Sequence, residues 1–189
     1  MSLRILIMQT ATTEAEEKRY AELQVMALDH ARHGETEPLA LMLQHGLPVN
    51  LADAKGQTLL MLASYNGNAD TTRRLLEHGA DVDRRNQRGQ TPLGGAAFKG
   101  YEEIVTLLLE HGADIDADNG AGMTPIMFAS MFGRTKVVEL LRAHGASLKR
   151  CNRFGISASL LIRLAQVWQR FFQRPKTPGR SATPQPQSL

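Results

Sequence analysis

The sequence predicts an all-α solenoid, a stack of similar helix pairs, because one strict period runs through most of the chain. A glycine recurs every 33 residues, at Gly56, Gly89, Gly122 and Gly155. The tetrapeptide His-Gly-Ala-Asp appears twice at the same spacing, at 78–81 and again at 111–114. A fixed period of this size is the signature of stacked supersecondary units. Such a stack offers a long recognition surface and, by default, no reaction centre.

One unit in the middle of the chain shows how each repeat is expected to fold. The hydroxyl of Thr91 can accept a hydrogen bond from the first helical turn, and Pro92 suits the first helical position because it needs no N–H there. We therefore predict a first helix over about 93–99, ended by Gly100, and a second helix over about 102–111. An extended return then leads to the next turn.

The same pattern divides the chain into about four repeats and a C-terminal capping helix. The regular units are 53–85, 86–118 and 119–151. A fainter copy, 20–52, begins without a Thr-Pro turn, as expected of a capping repeat with one face in water. The pattern decays over 152–173, where no glycine separates two helices and one longer helix from Ser157 is predicted. The flanking segments are 1–19, expected to be partly disordered or helical, and 174–189, a basic proline-rich tail expected to be disordered.

These motifs resemble ankyrin repeats, and the resemblance covers roughly 20–172. It rests on the Thr-Pro-Leu turn, the glycine between the helices and the heptapeptide Leu-Leu-Glu-His-Gly-Ala-Asp. The amino-acid sequence within the repeats is similar to that of small stand-alone ankyrin-repeat proteins of bacteria. One departure concerns the histidine that in the family follows Thr-Pro-Leu and ties neighbouring turns together, because Met61, Gly94 and Met127 stand there. We expect this stack to rely more on apolar contact instead.

Two consecutive glycines, Gly94 and Gly95, fall inside a predicted helix. Each costs about 0.5–1 kcal/mol relative to alanine at such a position. Two interpretations account for them. The first is close packing against the adjacent repeat, and the second is a gap in the concave wall that accepts a side chain of a partner.

Charge and cysteine content restrict the compartment and the partners. All 19 Asp and Glu residues lie at or before Glu139, so the body is acidic and the remainder is basic. The whole-chain pI of about 9.2 therefore describes neither part and does not indicate nucleic-acid binding. The single cysteine, Cys151, allows no internal disulfide, and no run approaches the roughly 20 apolar residues of a membrane span. We expect a cytoplasmic monomer that binds no nucleic acid.

Candidate reactive groups do not combine into a catalytic or metal site in the sequence. Four histidines recur at the repeat period, at His45, His78, His111 and His144. Helices in a stack lie about 8–10 Å apart, too far for equivalent imidazoles to share one zinc ion. A histidine in the last helical turn instead interacts favourably with the helix C-terminus. We therefore expect no metal, no cofactor and no enzymatic activity, and an inert Cys151.

The resemblance implies a surface for a protein partner, because ankyrin stacks bind through their turn tips and the outer face of each first helix. By position, the turn row comprises Lys55, Gln57, Arg88, Gln90 and Met123. The helix row comprises Tyr65, Asn66, Phe98, Lys99, Met131 and Phe132. Aromatic and methionine side chains are enriched in interface cores. We predict that the three aromatic residues line the concave groove as anchors, although they can also pack against a loop of the same chain.

The C-terminal helix is a second candidate site. Its apolar stripe comprises Leu160, Leu161, Leu164, Trp168, Phe171 and Phe172, and basic and amide residues occupy the rest of the helix. A basic amphipathic helix can lie on an anionic membrane or dock in the groove of a partner. It can equally cap the open end of the stack. We favour the cap for 157–165 and leave 168–172 open.

Overall fold

The computed structural model describes residues 3–172 as helices joined by short turns, with side chains described for 13, 14 and 16–167. The helices are α1 (Leu3–His33), α2 (Thr36–Gln44), α3 (Leu59–Asn66), α4 (Ala69–Glu77), α5 (Pro92–Lys99), α6 (Glu102–Glu110), α7 (Pro125–Met131), α8 (Thr135–Ala143) and α9 (Ala158–Phe172). Extended pairing in this part of the chain is limited to isolated bridges at Ala52–Thr58 and Cys151–Ser157. The predicted tail, 174–189, lies outside the described residues.

The helices form two parallel rows. An inner row of α1, α3, α5, α7 and α9 packs in that order, and an outer row of α2, α4, α6 and α8 does the same behind it. Each inner helix except α9 also packs against the outer helix that follows it in the chain. The predicted all-α repeat solenoid is therefore confirmed, and α9 extends the inner row as a terminal cap.

Helix α1 is much longer than the other inner helices. It runs for 31 residues, about 46 Å at the usual rise, whereas α3 and α5 have 8 residues each. The buried residues Ala27 and Ala31 lie in its C-terminal part and face the stack. The segment 3–19 is therefore helical and continuous with the first helix of the unit 20–52.

The core consists of columns of equivalent residues, one from each repeat. Leu60, Leu93 and Ile126 form an inner column and are at most 1% exposed. The small residues Ala63, Ala96 and Ala129 form a second, fully buried column that lets the inner helices approach closely. Leu75, Leu108 and Leu141 form the matching outer column, also fully buried. Burial of one such leucine stabilises the fold by about 1.5–3 kcal/mol, so the columns hold the stack together.

The predicted threonine caps form in two of the three regular repeats. The Thr58 hydroxyl accepts a hydrogen bond from the Met61 N–H at 3.1 Å, and the Thr91 hydroxyl accepts one from the Gly94 N–H at 3.2 Å. The equivalent Thr124 hydroxyl, although its residue is only 1% exposed, has no hydrogen-bond partner among the described residues.

A polar ladder links successive repeats at the extended returns. The side chain of Asn50 accepts a hydrogen bond from the Asp81 N–H at 2.9 Å, and the carboxylate of Asp83 accepts one from the Asp114 N–H at 2.9 Å. Burial raises the pKa of Asp83 above its ordinary value of 3.8, and the negative charges of Asp114 and Asp81 raise it further. The ionised carboxylate is therefore disfavoured in the folded state, although its hydrogen bond and Arg85 oppose the shift.

Replacing Asp83 by asparagine is expected to stabilise the protein at neutral pH, because the amide keeps the acceptor and removes the charge. The sign follows from proton linkage: the folded state binds more protons than the unfolded state between pH 3.8 and the raised pKa. Wild-type stability therefore falls as pH rises through this window. Urea unfolding should show a higher midpoint for Asp83→Asn at neutral pH and no difference below about pH 3.5. A variant less stable than wild type at neutral pH would contradict this account.

Candidate functional site

A groove of about 370 Å³ crosses the inner row at α3, α5 and α7 and at the turns that precede these three helices. This volume falls within the range of natural ligand pockets. The residues that line it are Gln57, Met61, Tyr65, Asn86, Arg88, Gln90, Thr91, Pro92, Gly94, Gly95, Phe98, Asn119, Phe128, Met131 and Phe132. The groove thus combines an apolar wall with a polar edge.

Three aromatic rings stack along the wall in a continuous ladder. The Tyr65 and Phe98 rings are nearly parallel, with centroids 6.2 Å apart, and the Phe98 and Phe132 rings meet edge to face at 4.3 Å. Such aromatic pairs contribute about 0.5–1.5 kcal/mol beyond their area. Tyr65 and Phe132 nevertheless remain 43% and 44% exposed, and Met131 beside them is 54% exposed. The rings therefore hold one another in place and still present apolar surface to the groove.

The polar edge comes from the turns between the repeats. The Asn86 side-chain oxygen accepts hydrogen bonds from the Arg88 N–H at 2.9 Å and the Gln90 N–H at 3.0 Å, which fixes the turn. The Asn86 amide group then donates to the Gln90 side-chain oxygen at 3.0 Å. On the rim, the Lys99 ammonium lies 4.6 Å from the centroid of the Tyr65 ring, a cation–π contact.

The floor of the groove contains an amide that fills the space beside a glycine. A Cβ atom at Gly94 would lie only 1.9 Å from the Asn119 side-chain oxygen. That oxygen accepts hydrogen bonds from the Thr91 N–H at 2.7 Å and the Thr91 hydroxyl at 3.0 Å, and the Asn119 amide donates to the Ala117 carbonyl at 3.0 Å. Asn119 is 4% exposed. Because Gly94 has no side chain, Asn119 of the next repeat can reach Thr91 and form these hydrogen bonds.

The other two interfaces lack this tie because methionine replaces glycine. Met127 stands where Gly94 does, and the Asn152 oxygen bonds its own turn, accepting from the N–H groups of Phe154 and Ile156 at 3.0 Å each. Thr124 is left without a partner in the described structure, whereas Thr58, beside Met61, still caps its own helix. The sequence prediction that apolar contact replaces the family histidine therefore misses a polar tie at one interface.

Because the Asn119 side chain points toward the neighbouring repeat, it does not fix its own loop as Asn86 and Asn152 do. Asp118 takes over the turn-fixing role, and its side chain accepts hydrogen bonds from the Gly120 and Gly122 N–H groups at 2.9 Å each. The loop also places Ala121 at a φ of 58°, in the left-handed region that an alanine rarely adopts. This turn therefore differs in shape from the turns at Asn86 and Asn152.

The first interpretation of the paired glycines, close packing against an adjacent repeat, is supported at both residues. Gly94 packs closely against Asn119 of the adjacent repeat. Gly95 lines the groove, where an added Cβ would lie 3.3 Å from a ring carbon of Tyr65. Both glycines thus serve close packing between repeats, Gly94 against Asn119 and Gly95 against Tyr65, and a gap that accepts a side chain of a partner stays a prediction.

The structure brings most of the predicted binding residues to the groove. Those that line it are Gln57, Tyr65, Arg88, Gln90, Phe98, Met131 and Phe132. Lys55 is exposed at the tip of its turn, and the Asn66 amide donates to the Leu62 carbonyl of its own helix at 2.8 Å. Met123 is half-buried, and its sulfur accepts a hydrogen bond from Asn152 at 3.5 Å. These three lie outside the groove, and Lys99 lies on the rim.

The sequence prediction missed several groove residues. They are Met61, Asn86, Thr91, Pro92, Asn119 and Phe128, whereas one of the two sequence interpretations already placed Gly94 and Gly95 in the concave wall. Helical spacing offered a signal for Phe128, because it lies three and four residues before Met131 and Phe132 and so shares their face. The position of Asn119 had no such signal, since its equivalents point into their own turns.

The histidines of the three regular repeats each engage their own helix. The Nδ1 atoms of His78, His111 and His144 lie 2.8–2.9 Å from the carbonyl four residues earlier. Because a carbonyl only accepts, Nδ1 carries the proton in each. Within the described residues, no cluster of three or more potential metal ligands occurs, and no helix is long and apolar enough to cross a membrane.

Helix α9 has a buried face and an exposed apolar face. Leu161 and Ile162 pack against the core next to α7. Leu160, Leu164 and Val167 are 45%, 51% and 49% exposed. The side chains of 168–172, left open by the sequence, lie outside those described. The helix therefore caps the stack on one side and leaves apolar surface on the other.

Replacing Gly94 by alanine is expected to destabilise the protein by about 1–3 kcal/mol, because the new methyl group overlaps the Asn119 amide. The same change in an Asn119→Ala background should cost clearly less, since the overlapping group is gone. Urea unfolding of wild type, both single variants and the double variant measures this coupling. If Gly94→Ala lowered the free energy of unfolding equally in both backgrounds, contact with Asn119 would not explain why a glycine is needed at position 94.

The two threonines provide a matched pair for a second test. Thr91→Val removes a cap and the partner of Asn119 and should cost about 1–2 kcal/mol. Thr124→Val removes a buried hydroxyl that has no partner among the described residues, so it should leave the free energy of unfolding unchanged or raise it slightly. Thermal and urea unfolding compare the two. Similar losses of unfolding free energy for Thr91→Val and Thr124→Val would contradict the claim that, of these two hydroxyls, only that of Thr91 has a hydrogen-bond partner in the described part of the chain.

Comparison with known proteins agrees with this architecture. The family described as ankyrin repeats (3 copies) matches residues 27–119 and 85–153, which together span more than half of the chain. An ankyrin repeat protein of Pseudomonas aeruginosa is 58% identical over 45 residues. This match covers 24% of the chain and 26% of the relative, about a quarter of each. Ankyrin repeats generally mediate protein–protein interaction and act as non-catalytic scaffolds. The chain belongs to the ankyrin-repeat family.

Proposed function

We propose that this protein is a non-catalytic interaction module of the cytoplasm that holds a protein partner in the groove and at the neighbouring turn tips. The observation that carries the proposal is the aromatic ladder of Tyr65, Phe98 and Phe132, whose two end residues are exposed. A cytoplasmic setting suits the exposed free thiol of Cys151, because thiols stay reduced there.

The ladder has the properties of a binding anchor. Aromatic residues that cluster at the centre of a surface supply most of the energy in many interfaces. Here each ring is held by its neighbour, so little side-chain freedom is lost when a partner arrives. The alternative, that the rings only pack within the chain, accounts for the half-buried Phe98. It leaves the exposed surfaces of Tyr65 and Phe132 unexplained.

A second candidate function resides in α9. Its exposed Leu160, Leu164 and Val167 lie on a helix that contains Arg163 and precedes a basic tail. Such a helix suits a membrane-surface or partner-docking adaptor, in which the repeats only present the helix. Attachment to anionic lipid weakens steeply as salt rises, whereas apolar contact in the groove does not.

The test is capture of partners from the native cell with wild type and with Tyr65→Ala/Phe98→Ala/Phe132→Ala. The triple variant should lose at least ten-fold in captured partner, because central aromatic anchors cost 2 kcal/mol or more each when truncated, by a rough general rule. Leu41→Ala/Phe154→Ala is the matched control, since both residues are exposed apolar side chains outside the groove. Circular dichroism checks that both variants fold.

Two outcomes would decide against the groove. One is undiminished capture by the folded triple variant. The other is salt-sensitive binding to anionic vesicles that disappears with Leu160→Ser/Leu164→Ser and is untouched by the aromatic changes, which would move the function to α9.

A further inference from the structure

The polar edge of the groove presents hydrogen-bond donors without partners. Two backbone N–H groups fix the side-chain oxygen of Asn86, so its amide must donate to the Gln90 oxygen. The Gln90 side chain is thereby left with its NH₂ group for a ligand. The Arg88 guanidinium, exposed on the same edge, has no hydrogen bond, ion pair or ring contact among the described residues.

Several arginines in the described repeats are engaged, whereas the guanidinium of Arg88, like those of Arg84 and Arg142, has no partner there. Arg88 differs from those two because it lines the groove. Arg85 donates to the Asp118 carbonyl, Arg134 to the Phe98 carbonyl at 3.0 Å and Arg150 to the Asp116 carbonyl at 2.7 Å. Arg73 pairs with Glu103 at 3.2 Å. A free guanidinium beside a free amide donor matches a carboxylate, which accepts two parallel hydrogen bonds from arginine.

The charge of the lining points the same way. The chain has 19 Asp and Glu residues, yet none of them lines the groove, whose one charged residue is Arg88. Lys99 adds a second positive charge at the rim. An acidic body with a positively charged groove is complementary to an acidic ligand and repels a basic one. The tail of the chain itself, 174–189, contains three Lys or Arg residues and no acid, so charge does not favour it as the occupant.

The apolar wall supplies the other half of the site. Phe98, Met131 and Phe132 line the groove together with Tyr65 and Gly95. A large apolar side chain can pack against these groups and exclude water from them. The wall and Arg88 belong to one groove of about 370 Å³, so an apolar side chain and a carboxylate that lie close together in a partner can occupy both.

We infer that the partner of this groove is an acidic segment of a protein, with an Asp or Glu next to a large apolar residue. The carboxylate binds Arg88 and the Gln90 amide, and the apolar side chain packs on Phe98 and Phe132. This inference rests on the proposed function of the groove and names the chemistry that it selects.

The experiment is selection of a random dodecapeptide phage library on full-length wild type and on Arg88→Glu. Wild type should enrich peptides with Asp or Glu within a few residues of Leu, Phe, Tyr or Trp, and Arg88→Glu should shift the preference toward Lys and Arg. The best wild-type peptide, synthesised with a fluorophore, should bind at least ten-fold more weakly to Arg88→Glu by fluorescence anisotropy. Arg84→Glu is the control, because Arg84 is exposed, lies outside the groove and makes the same charge change.

Each alternative outcome has a distinct meaning. Selected peptides that do not bind the Tyr65→Ala/Phe98→Ala/Phe132→Ala variant identify the groove as the binding site. If these peptides are not enriched in Asp or Glu, or bind Arg88→Glu as tightly as wild type, this inference is overturned and the proposed function stands. Equal losses with Arg84→Glu and Arg88→Glu reduce the effect to overall charge and also overturn it. Enrichment of nothing, or of peptides that bind the triple variant unchanged, contradicts both the inference and the proposed function. Loss of peptide binding in the presence of a synthetic 174–189 peptide would make the tail the occupant instead.

Discussion

Stacking of equivalent residues between repeats is the constraint on which the rest of this structure depends. No single helix pair here is large enough to bury its own apolar faces, so each must cover its neighbour. The columns of Ala63, Ala96 and Ala129 and of Leu75, Leu108 and Leu141 show how the period meets this need. The spacing that builds the core also brings position 65 next to position 98. The aromatic ladder is thus a consequence of the same register that stabilises the fold.

The interface between the repeat that contains Thr91 and the repeat that contains Asn119 departs from the repeat pattern, and this departure shapes the groove. Gly94 gives up intrinsic helix stability of about 1 kcal/mol, and the space gained admits the Asn119 amide. The Asn119 amide oxygen accepts hydrogen bonds from Thr91, and Asp118 takes the place of Asn119 in fixing the turn. At the neighbouring interface, Met127 fills the same position and Thr124 is left unsatisfied. One interface therefore has a glycine and a satisfied buried threonine, whereas the next has a packed methionine and a buried threonine hydroxyl that has no partner among the residues described.

Periodic features of the fold were predictable from sequence, and features that depend on side-chain direction were not. The glycine period and the Thr-Pro turns predict the helix pairs, and the two rows of helices confirm the all-α solenoid. Equivalence of position also predicts that Tyr65 and Phe98 lie on one face. The inward turn of Asn119 was not predictable, because it depends on the space beside Gly94 and on a loop with Ala121 in a left-handed conformation. The extension of α1 to Leu3 also escaped the pattern, since it has no repeat to match.

The central claim is that α3, α5 and α7, with their turns, form the surface that holds a protein partner. Hydrogen–deuterium exchange of the full-length chain, alone and with its captured partner, tests it most directly. The account predicts slower exchange over 57–66, 86–98 and 123–132 in the complex, and unchanged exchange in the outer helices α4, α6 and α8. Protection confined to α9, with the turns and inner helices exchanging as in the free protein, would contradict it.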